Sequence, residues 1–283
     1  MGLIALDYGK CSKCGLCVRV CPYVVLEMDP ANGPRVVRDK CIACGHCVAV
    51  CPRAALDNNK APRKNQPADT GTPFSEADSA WYLRARRTVR WYQKKPVARG
   101  KITRWLDIAR FAPTASNTQG IVWLIIDNPL TIQSVARAVI AWEQSEVANN
   151  PNPFPIFEAQ LDRYGRGEDS ILFGAPCLIV ALSVYSSQKR ARENAVLSMM
   201  YAQLHAPSLG LGTCWAGVLE ACVGAGWQPL LDVLNLPPDH TFCGAMVVGY
   251  PNYRYHNLTD REPLALIWAE PVTMPLSPEE KQS

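Results

Sequence analysis

The feature that most constrains this chain is a cysteine run used twice. Cys11, Cys14, Cys17, Cys21 and Pro22 recur as Cys41, Cys44, Cys47, Cys51 and Pro52, each shifted by 30 residues, and Gly15 and Val20 recur as Gly45 and Val50. An internal repeat of this kind predicts two similar halves that bury a shared core neither could form alone. Asn32-Gly33-Pro34 reads as the turn between them, followed by a short extended run, Arg35-Val36-Val37. Of the 12 cysteines, only Cys177, Cys214, Cys222 and Cys243 lie outside Cys11–Cys51, scattered among apolar neighbours. A secreted disulfide scaffold is usually short and spreads its cysteines along the whole chain. The clustering here instead indicates metal sites in a reducing compartment.

The spacing C-x2-C-x2-C-x3-C-P narrows the metal. An iron–sulfur cube needs four soft thiolates around one compact cofactor, three from a tight run and one remote. In two-cluster proteins with this run, the fourth cysteine ligates the opposite cluster. That assigns Cys11, Cys14, Cys17 and Cys51 to one [4Fe–4S] cluster, and Cys41, Cys44, Cys47 and Cys21 to another. Zinc is the competing reading, since paired C-x2-C elements also build tetrahedral sites, but zinc requires neither the triple spacing nor the exchanged fourth cysteine. His46, between Cys44 and Cys47, reads more readily as a polar neighbour than as a ligand. Residues 1–56 closely resemble the bacterial two-cluster ferredoxins.

The rest of the chain reads as a different kind of domain. The boundaries expected are 1–58 for the two-cluster module, 59–79 for a polar linker and 80–283 for a second domain ending in a polar tail. Hydrophobic residues make up 48% and charged residues 19%, enough for a real core. The second domain alternates helical and strand patterns: a helix over 102–111, a strand over 121–126, a helix over 130–142, a strand over 176–184, a helix over 193–204 and a strand over 243–248. The fold class expected is α+β, a ferredoxin-like domain followed by a mixed helix and sheet domain. The stretch 142–169 lacks pattern and reads as an irregular cover, either a plain surface loop or a lid over a substrate site. No apolar run approaches the roughly 18–20 residues of a membrane span. The first cysteine comes too early to leave room for a secretory signal. These points predict a cytoplasmic protein with no membrane partner. The net charge of +4 demands no anionic partner, and no nucleic-acid-binding fold is visible.

Two passages of the second domain carry chemistry. Arg84, Arg86, Arg87 and Arg90, with Thr88, gather forked donors suited to a phosphate, although a solvated basic face is the simpler alternative. Pro113-Thr114-Ala115-Ser116-Asn117-Thr118-Gln119 puts small and amide-bearing residues just before a buried strand, where they could meet a planar heterocycle or merely form a loop. Together these passages resemble the nitroreductase family of FMN enzymes. Arg86-Arg87-Thr88-Val89-Arg90, the 113–119 segment, Gly174-Ala175-Pro176, the run from Leu209 to Gly217 and the ending Gly249-Tyr250-Pro251 with Arg254 and Arg261 follow the family's order. The resemblance covers about residues 80–270.

The resemblance implies a nitroreductase-type flavin-binding fold, FMN as cofactor and a homodimer with the flavin at its interface. It implies that Arg86 and Thr88, with Arg254 or Arg261, hold the phosphate, and that Arg87 is among the cofactor-binding residues. Arg90, Asn117 and Gln119 would address the pyrimidine edge of the ring, and the loop Cys214-Trp215-Ala216-Gly217 would offer backbone N–H groups to it. No residue is assigned a catalytic role of its own, and Cys214 is not expected to be a nucleophile. Two clusters delivering single electrons to FMN, which releases pairs, make an oxidoreductase wire ending on a small electron-poor acceptor: a nitroaromatic, quinone or enone. The electron donor expected is a ferredoxin or NAD(P)H. The alternative is an electron-transfer protein that relays between a ferredoxin pool and a protein partner.

Overall fold

In the N-terminal region the sequence repeat is also a backbone repeat. The computed structural model describes residues 2–71, 73–184 and 188–269, so the polar tail lies outside the described residues. The first half runs β1 (Ile4–Leu6), α1 (Leu16–Arg19) and β2 (Leu26–Asp29); the second runs β3 (Gly33–Val36), α2 (His46–Ala49) and β4 (Leu56–Asn58). β1 pairs with β4 and β2 with β3, all antiparallel, so each half supplies one strand to each hairpin-like pair. Torsions repeat with the same shift: Lys13 and Ala43 have φ of 56° and 54°, Gly15 and Gly45 of 76° and 75°, Val24 and Ala54 of 49° and 55°. Left-handed residues are costly for side chains other than glycine's, so their pairwise recurrence reports a backbone bent around something on the inside of each run.

Residues 59–66, read as linker, close back on this module. Arg63 donates from Nη2 to Val48 O at 3.1 Å, and Gln66 donates from Nε2 to Ala61 O at 2.8 Å. Helix α3 (Glu76–Ala85) begins four residues earlier than the expected second domain, because Ser75 and Asp78 form a reciprocal capping box. Tyr82 then ties α3 to the second domain by donating to Leu204 O at 2.6 Å.

The second domain is a four-stranded sheet between two helical layers. After α4 (Arg99–Asp107) come β5 (Ile121–Ile126), α5 (Pro129–Asn149), α6 (Phe157–Gly165), β6 (Cys177–Ser183), α7 (Gln188–His205), β7 (Gly212–Trp215), α8 (Gly217–Gly224), α9 (Gln228–Leu234) and β8 (Thr241–Gly249). The strand order is β5-β6-β8-β7 with every pairing antiparallel, which makes the fold α+β. β6 is buried along its whole length. Its Leu178, Val180 and Leu182 face α5, α8 and α9, while Cys177, Ile179 and Ala181 face α4 and α7.

The segment 142–169 differs from the irregular cover expected. α5 continues to Asn149, stopping before Asn150-Pro151 as the residue preceding a proline requires, and α6 follows. Phe157 packs edge-on against Trp142 at 5.2 Å inside the core. The sequence pattern misled because this stretch contributes few apolar residues per turn, each deeply placed. Trp142, Glu143, Phe157 and Gln160 are buried, so its two helices are anchored in the core although most of the stretch stays exposed or half-buried.

Candidate functional site

The eight N-terminal cysteines surround two separate cavities. Cys11, Cys14, Cys17 and Cys51 line one, with Met28, Pro34 and Leu56 as apolar walls. Cys21, Cys41, Cys44 and Cys47 line the other, with Val25, Leu26 and Ile42. Each tight run thus shares its cavity with the remote cysteine of the opposite run. None of the 12 cysteines forms a disulfide. Among the described residues, no three metal-binding side chains come close enough to grip a single ion. Sulfurs ringing a void suit a polynuclear cluster and not a tetrahedral zinc.

The electrostatics of these cavities disfavour free thiolates. Burial pushes the Cys47 thiol up to about 11, with Cys44, Cys41 and Cys21 adding repulsion. Burial likewise raises Cys17, with Cys51 and Cys11 adding to it. Four crowded thiolates become stable only when bound metal offsets their charge. N–H groups already point at the sulfurs: Lys13 N at Cys11 Sγ (3.4 Å), Val25 N at Cys21 Sγ (3.4 Å) and Ala55 N at Cys51 Sγ (3.3 Å). Such bonds stabilise sulfur-borne negative charge and raise a cluster's reduction potential.

One pair of repeat-related cysteines is placed unequally. Cys14 is exposed, whereas its counterpart Cys44 is half-buried. Cys44 also lines a cavity of about 760 Å³ between the module and the second domain, the only one of the eight cysteines to do so. The far wall of that cavity is Pro113, Thr114, Ser116, Asn117 and Gln119. Two hydrogen bonds join the walls: Asn117 Nδ2 donates to Ile42 O at 2.9 Å, and the Tyr23 and Ser116 hydroxyls meet at 2.7 Å. Ser116, Asn117 and Gln119 all have positive φ, and Asn194 of α7 holds the loop through Ala115 N (3.0 Å) and Thr118 Oγ1 (3.1 Å). Neither Tyr23 nor Asn194 stood out in the sequence; Asn194 is 5% exposed and shares its helix face with the buried Ala191, Ala195 and Ser198.

The arginine segment lies elsewhere. Thr88 bridges Thr213 of β7 in parallel, and Val89 N donates to Thr213 O at 2.9 Å. Gly212 makes this approach feasible, since a Cβ there would lie 2.6 Å from Val89 Cγ2. Alternation along the extended segment sends Arg87 and Val89 toward a cavity of about 530 Å³, also lined by Arg254, Tyr253 and Tyr255, and leaves Arg86, Thr88 and Arg90 on the other face. Arg87 is committed to protein partners: it bonds Arg86 O at 2.8 Å and sits over the Tyr255 ring at 5.5 Å. Arg261 turns to Thr259 and Asp260 and does not reach that cavity. Arg90 lies over Phe173 at 5.9 Å and beside Cys214, whose thiol burial raises. A raised, buried thiol is a poor nucleophile. Ala216 N is used on Ala245 O (2.9 Å), so it is Gly217 N, first in α8, that lacks an intrahelical acceptor. Trp215 is braced by Arg192, 5.4 Å from its ring and paired with Glu220 at 2.8 Å.

The sequence-derived flavin residues therefore fall into two groups. Arg86, Thr88, Arg90, Trp215 and Gly217 gather at the β7 edge, while Asn117 and Gln119 sit where the chain enters β5, the opposite edge. With the arginine segment lying outside β7, four interstrand steps separate the groups, about 19 Å. Arg90 and Asn117 of one chain cannot reach the same edge of one ring.

Residues 83–250 match the model of the nitroreductase family. The chain belongs to the nitroreductase family. Residues 3–52 match a 4Fe-4S dicluster domain, which indicates two [4Fe–4S] clusters in this nitroreductase. No curated protein matches the chain. Among solved structures the fold is similar to an FMN-bound nitroreductase from Bacteroides fragilis (TM-score 0.55, 18% identity, covering 69% of this chain and 100% of that one). It is similar as well to an FMN-bound nitroreductase from Desulfitobacterium hafniense (0.54, 16%, 67% and 98%) and a BluB-like flavoprotein from Clostridium difficile (0.52, 18%, 69% and 100%). The nitroreductase part accounts for almost the whole length of those chains, and the cluster module is additional to it. No helix among the described residues is long and apolar enough to cross a membrane.

Proposed function

We propose that this nitroreductase is a cytoplasmic, homodimeric oxidoreductase in which two [4Fe–4S] clusters feed FMN, and FMN reduces a small electron-poor acceptor such as a nitroaromatic, quinone or enone. The observation that supports the reading is the cavity shared by Cys44, which would be a cluster ligand, and the 113–119 loop, which would belong to a flavin site. When bound, FMN would supply conversion between single electrons and electron pairs. This chain's residues bind and orient it. Arg86 and Thr88 would hold the phosphate, the guanidinium through paired charge-assisted bonds, while Arg254 lies on the Arg87 side of the segment and falls outside this group. Arg90 would lie near the ring, where positive charge favours the reduced anion, and Gly217 N–H would donate to the ring's polar edge.

The homodimer is supported by the separation of the two flavin groups and by exposed apolar surface. Leu264, Ile267 and Trp268 are 82%, 99% and 85% exposed, a run that a second copy would cover. Reduced ferredoxin or NAD(P)H would serve as donor.

The test is Arg86→Ala, with iron, sulfide and flavin measured in anaerobically prepared protein. The expected outcome is about eight iron atoms per chain, unchanged by the substitution, and FMN retention reduced at least 10-fold. Full flavin content in the variant removes Arg86 from the site; two zinc ions in place of iron overturn the cluster reading.

A further inference from the structure

Cys14 and Cys44 occupy equivalent places in the sequence repeat but meet different surroundings. Cys14 is exposed to solvent, and it lines the cavity of the first cysteine set. Cys44 lines both the cavity of the second set and the interdomain cavity. A module whose two sites are internally alike thus has an outward end and an inward end. The inward end is fastened by the Tyr23–Ser116 and Asn117–Ile42 bonds to the loop entering β5. The arginine segment of the same chain lies beyond β7, about 19 Å across the sheet. The sheet and its helices fill the space between. Electron transfer through protein falls steeply with distance, so the inward cluster is badly placed for a flavin held by its own chain's arginines.

We propose that each flavin is reduced in trans: electrons enter at the Cys14 cluster, leave through Cys44, and cross the 113–119 loop to the flavin held by the arginine segment of a second copy. This rests on the function proposed above and adds the route. In the dimer the loop of one subunit completes the flavin site of the other, and the module fastened to that loop arrives with it. Asn117 is the joint: its Nδ2 is committed to Ile42 O, while its Oδ1 remains for the neighbouring subunit's site. Each crossing oxidises one reduced cluster by a single electron. Two crossings, with one proton from solvent, complete the reduction of one flavin to its anion, and reduced ferredoxin replaces the electrons one at a time.

The test uses full-length heterodimers purified through two different tags. One substitution pair, Arg86→Ala with Arg90→Ala, removes a chain's flavin; the other, Cys41→Ser with Cys44→Ser, removes its inward cluster. In the split dimer each chain carries one pair. In the doubled dimer one chain carries both pairs and its partner is wild type. Each dimer should hold about half the wild-type FMN, which shows that the remaining flavin site is intact. Flavin reduction by reduced ferredoxin is followed by loss of flavin absorbance in a single turnover. The trans route predicts a fast phase in the split dimer and at least a 10-fold slower reduction in the doubled dimer. The reverse pattern, or equal rates, overturns it, as does a monomer in sedimentation. Cys44→Ser alone should give the same ordering with a smaller difference, so a misfolded double variant does not decide the matter. If the wild-type homodimer shows no fast phase beyond that of the Cys41→Ser, Cys44→Ser homodimer, the cluster-fed function fails instead, separately from the route.

Discussion

The two regions of this nitroreductase bury polar groups in opposite ways. The cluster module has a core of six buried residues, two of them the cysteines Cys17 and Cys47. Among the described residues the nitroreductase domain has two cores, one on each face of its sheet, with 25 and 17 buried residues. So small an apolar core cannot by itself offset the chain entropy of some 60 residues, and metal binding must contribute folding energy. The larger domain has enough apolar burial to tolerate a liability. Glu143 of α5 is 0% exposed, and neither carboxylate oxygen has a hydrogen-bond partner. The metal organises one region; in the other, packing dominates and carries an uncompensated carboxyl.

Removing iron should break this comparison most strongly. Chelation under anaerobic conditions should unfold the module while leaving the nitroreductase domain's cooperative thermal transition in place. Far-UV circular dichroism alongside iron content checks this, and loss of both together would make the regions one folding unit.

Glu143 gives the next largest effect. Burial raises its carboxyl from the usual 4.5 to about 7. A raised acid is neutral in both states below pH 4.5, so no penalty applies there. Stability then falls as pH rises from 4.5 toward 7, because the unfolded chain ionises first, and the full penalty holds above 7. The loss is on the order of 3 kcal/mol. Glu143→Gln should flatten this slope, so that denaturant midpoints at pH 5 and pH 8 move closer together than in the wild type. An unchanged slope would place the penalty elsewhere.

The smallest effect sharpens the contact between the regions. Tyr23→Phe deletes the hydroxyl bond to Ser116 and should loosen docking by about 1 kcal/mol without altering iron or FMN content. Faster amide exchange confined to the 113–119 loop and the adjoining module surface is the expected signature.

The legible parts of this protein were those encoded by near neighbours in the chain. The shift of 30 residues in the cysteine runs appears as matched torsions at Lys13 and Ala43 and at Gly15 and Gly45, because wrapping one centre constrains each short run locally. The strand read over 121–126 is β5 as observed, since a continuous apolar run between turns leaves few alternatives. The helix read over 193–204 is longer, Gln188–His205, because polar residues of its first turn hid its start. The stretch 142–169 reads as an irregular cover because its helices bury few residues each.

What the sequence by itself determined is therefore the repeated module, six elements of the second domain in their order and the residue types of each candidate site. Only the tertiary structure decided that Cys14 faces solvent while Cys44 faces a second domain, and that Arg90 and Asn117 lie at opposite edges of one sheet. Spacing within a run is a local property, fixed by bond lengths and coordination. Strand order and docking depend on which apolar faces are covered by segments far away in the chain, and nothing in the run itself carries that choice.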